Sequence, residues 1–554
     1  MRALQLKDSG SSRLGLLLTL FIVGLSSALR LWGLKWGLPN ELHDYSYHPD
    51  EFLTIGAAFG VIYLRRTWNP GFFNYPSLFL YLSALVIAIM VGYGASVSLT
   101  SVYLWARAVS ALMGVGAVWA TLWAGTVLFE RWVGLLAGLV ICVAPIHVQH
   151  SHFATVDVPS TLFVALALGY SGLILQRHRT RDYILAGAMA GLAAGTKYNA
   201  GIVILSAIGA HFASYGIRNG LSRFGYLAGL LGSAAVAFVV STPGCVLARD
   251  QFVHGLLYEA RHSVEGHGLV FAGTGNGFFY TLWGSIVPGL GVVFAALFLV
   301  SVFFALTNRN KRALSIIAFV IPYYVFISLS QVRFARYALP LVPSMAILIA
   351  WTVREAWQRF HGRGIVDCFV RISFAISYLI GVLLAMFTSI GLDLVQSQPD
   401  PRDQAARWVH RHIALASHVG VIDWPWFYSP PFEKSIGFGA LPQRQNATRM
   451  SRYRIKVLLS NRNAWKPLPR WVVVSDYEIE NALRLKRNRT LSEEQREQVD
   501  RINWAVKVLQ SKYRVRAKFG GSGVFVRWYR LPHDMRYVNP RITIYEMCEL
   551  GNGH

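Results

Sequence analysis

Charge of either sign is scarce in this chain, and negative charge most of all. Asp and Glu number 28 against 53 Lys and Arg, and charged residues fill only 15% of 554 positions. A soluble protein carries about a quarter charged residues, so a water-exposed surface over the whole chain is excluded. The four cysteines, Cys142, Cys245, Cys368 and Cys548, show no CxxC spacing, which gives no disulfide framework. No Gly-rich loop follows a strand, so there is no nucleotide cradle. The first apolar run lacks a small-residue cleavage site and reads as a retained helix, not a removed signal peptide.

What fills the space is apolar: 54% hydrophobic residues, with mean hydropathy +0.39. Long apolar stretches recur at Leu14–Leu31, Val102–Phe129, Trp132–Ile146, Val158–Leu175, Tyr183–Ala213, Phe224–Thr242, Gly277–Thr307, Ala313–Ser330, Ala338–Val353 and Ile372–Leu392. Most approach the roughly 20 residues that a bilayer-spanning helix needs. The expected fold is a polytopic α-helical membrane protein over residues 1–392, followed at 393–554 by a soluble α/β domain. In that tail, short β-prone runs such as Trp471–Val474 and Val524–Val526 alternate with helix-like segments such as Ser492–Leu509. The net charge of +25 is split between short loops and the tail. It points to lipid headgroups or anionic glycans and not to nucleic acid, for which no binding module is recognisable.

Basic short loops belong on the cytoplasmic side. Placing 176–181, 218–223, 308–312 and 354–371 there, with the N-terminus, turns loops 33–75, 147–158, 243–276 and 330–337 and the tail outward. Parity then makes Tyr183–Ala213 cross twice, with Gly195–Asn199 at its outer tip. Pro76–Leu99 lies against the membrane, and the count is about eleven crossings.

Four constellations gather on that outer face. His48-Pro49-Asp50-Glu51 opens a helix, because Pro49 disfavours helix before it and suits the first helical turn. Its carboxylates can serve as a general base or as plain helix caps. Asp157 precedes a returning helix that starts near Pro159, where capping is again the simpler role. The neighbouring His147, His150 and His152 match no zinc spacing and fit an interfacial structural role. Lys197 sits between apolar helices and needs an anion, either a phosphate or a carboxylate of the chain itself. Arg333 and Arg336 share a face if their segment is helical; such pairs suit phosphate, or anchor to lipid headgroups.

Together these residues resemble a known group. His48–Glu51, Asn74-Tyr75-Pro76-Ser77, Ser151-His152 through Asp157-Val158-Pro159, Gly195-Thr196-Lys197-Tyr198-Asn199 and Arg336-Tyr337-Ala338-Leu339-Pro340 occur in order. They look like the protein-mannosyltransferase-like branch of the GT-C glycosyltransferases, whose relatives include dolichyl-phosphate-mannose–protein mannosyltransferases and the lipid A aminoarabinose transferase. The resemblance implies a sugar donor on a polyprenyl phosphate and a protein, lipid or glycan acceptor at the outer face of the plasma membrane. Family names favour mannose, while the sugar and acceptor stay open. It also implies an inverting single displacement, with Asp50 as general base assisted by Glu51 and Asp157. Lys197, Arg333 and Arg336 would then hold the donor phosphate, and His48, Tyr75, His152, Tyr198 and Tyr337 would line the substrate. No cofactor is implied with certainty; some relatives use a divalent metal, for which only Asp50, Glu51 and Asp157 are placed. The competing reading is a transporter or flippase for an anionic polyprenyl-linked lipid. Against it, the charges gather at one rim and no repeat relates the two halves.

Overall fold

A computed structural model describes residues 9–61, 68–360, 362, 364–432, 452–459, 463–521 and 531–548. The run Val524–Val526, the sequon at Asn446 and the basic residue Arg363 lie outside the described residues. Among the described residues, eight helices are long and apolar enough to cross a bilayer, and three shorter apolar helices accompany them. The protein is a polytopic helical membrane protein with a C-terminal sheet.

The first ten helices are α1 (Ser9–Leu31), α2 (Pro49–Phe59), α3 (Leu78–Gly92), α4 (Leu99–Leu128), α5 (Arg131–Val143), α6 (Pro145–His150), α7 (Asp157–Arg177), α8 (Thr180–Thr196), α9 (Ile204–Ser222) and α10 (Phe224–Ser241). Local chemistry sets their ends. Ser98 caps α4 by accepting from the Ser101 amide at 3.1 Å. Pro49 occupies the first turn of α2, and His48 before it is extended (φ −87°, ψ 114°), as a residue preceding proline prefers. At about 22 Å, α3 is too short to span a hydrocarbon core. The long run from Tyr183 to Ala213 folds as a hairpin. Lys197 breaks it in extended conformation, and Tyr183 Oη meets His211 Nδ1 at 2.8 Å across the two arms.

Two apolar runs depart from a single span. Gly277–Thr307 is interrupted at Gly291 (φ 95°), and only Val292–Asn308 beyond it is a regular helix. Gln331–Phe334 is not helical, and Ala335–Leu341 is a 3₁₀ turn leading into Val342–Arg359. That last helix is buried almost throughout and forms the centre of the bundle.

Among its described residues the tail carries five strands, β1 (His418–Val421), β2 (Arg454–Val457), β3 (Trp471–Ser475), β4 (Tyr513–Phe519) and β5 (Ile542–Met547). They are ordered β2-β1-β3-β5-β4. β1 pairs parallel with β2 and β3, whereas β5 runs antiparallel to β3 and β4. Alternation in β3 builds two cores. Val472 and Val474 pack with Ala482, Val499 and Ile502 of the helices Asp476–Leu485 and Glu493–Lys512. Trp471 and Val473 pack with Ala405 and Val409 of the helix Pro401–His412. A short turn, His533–Val538, ties the tail to the helical region: Gln149 donates to the Met535 carbonyl at 2.7 Å and Trp36 to that of Val538 at 3.2 Å.

Candidate active site

Asp50, at the start of α2, meets Arg336 Nη2 at 2.9 Å. The same guanidinium approaches Asp157 at 3.9 Å and Asp534 at 3.8 Å. Asp157, in the first turn of α7, holds Lys197 Nζ at 2.6 Å. Tyr337 lies between the two cations, 5.0 Å from Lys197 Nζ and 5.8 Å from the Arg336 guanidinium carbon, which also stacks 3.9 Å over Phe334. Residues from five separate segments thus converge on one cluster. Asp50 is its most open carboxylate, with 15% of its side chain exposed against 5% for Asp157 and 1% for Asp534. A chain-borne carboxylate, Asp157, answers Lys197 here.

Tyr75 lies near enough to be influenced by Asp50 and Arg336, and burial raises its phenol well above the usual range. The His48 ring rests on Phe153 at 4.4 Å with neither nitrogen hydrogen-bonded. Burial lowers its pKa, although Asp50 and Glu51 pull the other way.

Four expected site residues are engaged elsewhere. Glu51 is fully buried in a bidentate pair with Arg107 of α4, at 2.8 and 2.7 Å, and accepts from the Ala154 amide at 2.6 Å. Arg107 spends its other donors on the carbonyls of Leu34 and Trp36 and on Ser46 Oγ. Arg333, on non-helical chain, donates to Thr274 Oγ1 and the Gly275 carbonyl, both at 2.8 Å, and so pins the loop around 274–275 instead of joining Arg336. His152 meets the Trp32 carbonyl at 2.6 Å. Tyr198 donates to the Phe73 carbonyl at 2.8 Å.

Sequence reasoning missed several partners. Arg107 and Arg30 lie inside runs read as apolar, and a lone arginine in such a run is itself a signal of a buried partner. Asp534 comes from the far end of the chain and accepts from the Ala335 and Arg336 amides at 3.1 and 2.9 Å, fixing the turn that carries Arg336. Glu259 belongs to the helix Arg249–Glu265. Gly255, one turn before it, packs so closely on loop 68–77 that a Cβ would lie 2.7 Å from the Phe73 carbonyl carbon. Burial pushes the Glu259 carboxyl up to about 7; Asp50 adds to the rise, while a hydrogen bond with Asn74 and the charges of Arg336 and Lys197 oppose it. Asp534 and Glu259, unlike the two arginines, have no local sequence signal.

The carboxylates expected to serve a metal do not assemble for one. Glu51 is saturated by Arg107, Asp50 and Asp157 are bridged by Arg336, and among the described residues no three His, Cys, Asp or Glu side chains form an ion-binding group.

The family profile described as dolichyl-phosphate-mannose-protein mannosyltransferase matches residues 74–242, under a third of the chain. A sequence comparison with curated proteins gives no match. Solved structures match over nearly the whole length. The archaeal oligosaccharyltransferase AglB from Archaeoglobus fulgidus, in complex with an inhibitory peptide and a dolichol-phosphate, aligns at 13% identity and TM-score 0.51, covering 98% of this chain and 89% of that one. ArnT from Cupriavidus metallidurans, bound to undecaprenyl phosphate, aligns at 14% identity and TM-score 0.50, covering 99% and 100%. The chain has the GT-C fold. In this GT-C chain the matched profile contains Tyr75, Asp157 and Lys197 but stops short of Arg336 and begins after Asp50.

Proposed function

We propose that this GT-C chain is a membrane glycosyltransferase that moves a sugar from a polyprenyl-phosphate carrier to an acceptor at the outer face of the plasma membrane. In this orientation the N-terminus is cytoplasmic and residues 393–554 form an outer domain. The observation that carries the reading is the bridge made by Arg336 between Asp50 and Asp157 beside Lys197. It sets a partly open carboxylate next to two cations in an otherwise buried pocket of charge. Buried charge of this kind at membrane level is costly even when paired, which makes it a functional candidate.

The reaction needs a base for the acceptor and a counter-charge for the leaving group. Asp50 takes the acceptor proton as the acceptor oxygen, or another nucleophilic atom, bonds to the anomeric carbon from the face opposite the phosphate. The bond from that carbon to the phosphate oxygen breaks, and the configuration inverts. Arg336 and Lys197 hold the departing phosphate, a positioning and electrostatic task. Asp157 keeps both cations in place and, with Asp50, offsets positive charge growing on the sugar ring. Tyr75 and Tyr337 line the substrate. Glu51 acts one step removed, by locking α2 to α4 through Arg107.

The test is incubation of purified protein with radiolabelled polyprenyl-phosphate sugars and envelope fractions, followed by identification of the labelled acceptor. Transfer of label with release of polyprenyl phosphate is expected. Donor that is moved across a vesicle bilayer with its sugar still attached would instead establish a transporter.

A further inference from the structure

The far end of α7 carries a charged constellation that the transfer reaction does not use. With 21 residues in α7, Arg177 stands about 30 Å from Asp157, one bilayer core away. There the chain reverses through His178, which is left-handed at φ 54°, and enters α8. The reversal brings Arg177, Arg179 and Arg181 to a cavity of about 290 Å³. All three arginines are exposed, and none of their guanidinium groups has a hydrogen bond or ion pair among the described residues. The only other charged residue lining the cavity is Asp182, in the first turn of α8, so the positive charges outnumber the negative three to one.

The cavity wall beneath the arginines is apolar and aromatic: Trp123 and Val127 of α4, Tyr170 and Leu173 of α7, and Leu185 of α8. Its shape depends on a close approach. A Cβ on Gly169 would lie 2.0 Å from the Trp123 ring, so glycine there lets the indole approach α7 closely. The ring then meets Tyr170 edge to face at 5.2 Å.

A basic loop that only set membrane orientation would need charge in water and nothing more. Here the charge tops a slot with an aromatic edge between three helices. Guanidinium forks suit phosphate oxygens, and basic pockets between membrane helices suit anionic headgroups. We propose that this slot binds the phosphate headgroup of an anionic membrane phospholipid, with an acyl chain along Trp123, Tyr170 and Leu185. The site lies at the opposite end of α7 from the transfer cluster and is independent of the reading given to that cluster.

Delipidated protein in detergent, titrated with phosphatidylglycerol, phosphatidylcholine and inorganic phosphate, provides the test by native mass spectrometry and thermal melting. Phosphatidylglycerol should bind and raise the melting temperature, whereas phosphatidylcholine and inorganic phosphate should do neither. Replacing all three arginines, Arg177→Gln, Arg179→Gln and Arg181→Gln, should weaken phosphatidylglycerol binding on the order of a hundredfold. Leu185→Trp keeps the charges but fills the slot, and it should also abolish the effect; this variant decides the matter if the triple change does not fold. Equal binding of phosphatidylglycerol by wild type and Leu185→Trp would overturn the proposal. So would an equal response to inorganic phosphate, which would mark a free-anion site.

Discussion

Asp50 and Glu51 are neighbours in sequence, yet they stand in two different kinds of site. Glu51 faces an arginine whose donors are all spent: Arg107 holds both carboxylate oxygens, two backbone carbonyls and a serine hydroxyl, with both side chains fully buried. Asp50 faces an arginine with capacity in hand. Arg336 makes one close ion pair and two longer ones, at 3.8 and 3.9 Å. A saturated buried pair specifies structure, because nothing more can bind without breaking it. An unsaturated one has donors left with which to accept a phosphate. The two pairs share charge type and differ in exposure, at 15% for the Asp50 side chain and 0% for Glu51, and in how many arginine donors are already spent.

The comparison can be broken in steps. The largest effect belongs to the saturated site. Arg107→Met leaves Glu51 buried without its counter-charge, and roughly 3–5 kcal/mol of stability should go. A large fall in melting temperature, or failure to recover folded protein, is the expected readout; near wild-type melting would show that the pair does not hold α2 to α4.

Lys197→Met should cost less, towards the lower end of that roughly 3–5 kcal/mol range, because Asp157 keeps Arg336 nearby. It should also weaken binding of a polyprenyl phosphate, measured on the same preparation. A stability loss with unchanged affinity would leave Lys197 as a counterion of Asp157 only.

The smallest effect is a pH slope at Glu259. Folding raises this carboxyl from 4.5 to about 7, mainly through burial. The folded chain therefore holds the proton more tightly, and the stability from this group is full below pH 4.5 and declines as pH rises to about 7. Glu259→Gln should flatten the fall in melting temperature across that window. An unchanged slope would mean that Glu259 titrates normally in the folded protein.

Much of the framework was legible in sequence because membranes enforce it: runs of apolar residues, a proline-led start to α2 and a break at Lys197 each have a local cause. The sheet followed from Trp471–Val474, whose two faces are both covered. Asp50, Asp157, Lys197, Arg336 and Tyr337 could be named because charge and aromatic–basic motifs stand out against an apolar background. Their division of labour could not be read, since it depends on which donors are already occupied. Glu51 and Arg333 carry the same local marks as Asp50 and Arg336, and only tertiary partners, Arg107 in one case and the Thr274–Gly275 loop in the other, separate them. Asp534 was out of reach because nothing near it in the chain signals that it caps the turn bearing Arg336.

Single-turnover transfer, measured beside thermal melting on Asp50→Asn and Glu51→Gln, separates the work of the two adjacent carboxylates at the head of α2. Asp50→Asn should lose a factor of roughly 10² to 10⁴ in transfer rate, as for a missing general base, with melting close to wild type. Glu51→Gln should lower the melting temperature first and activity only through it. Full turnover by Asp50→Asn, or a Glu51→Gln protein that melts normally yet cannot transfer, would contradict the account.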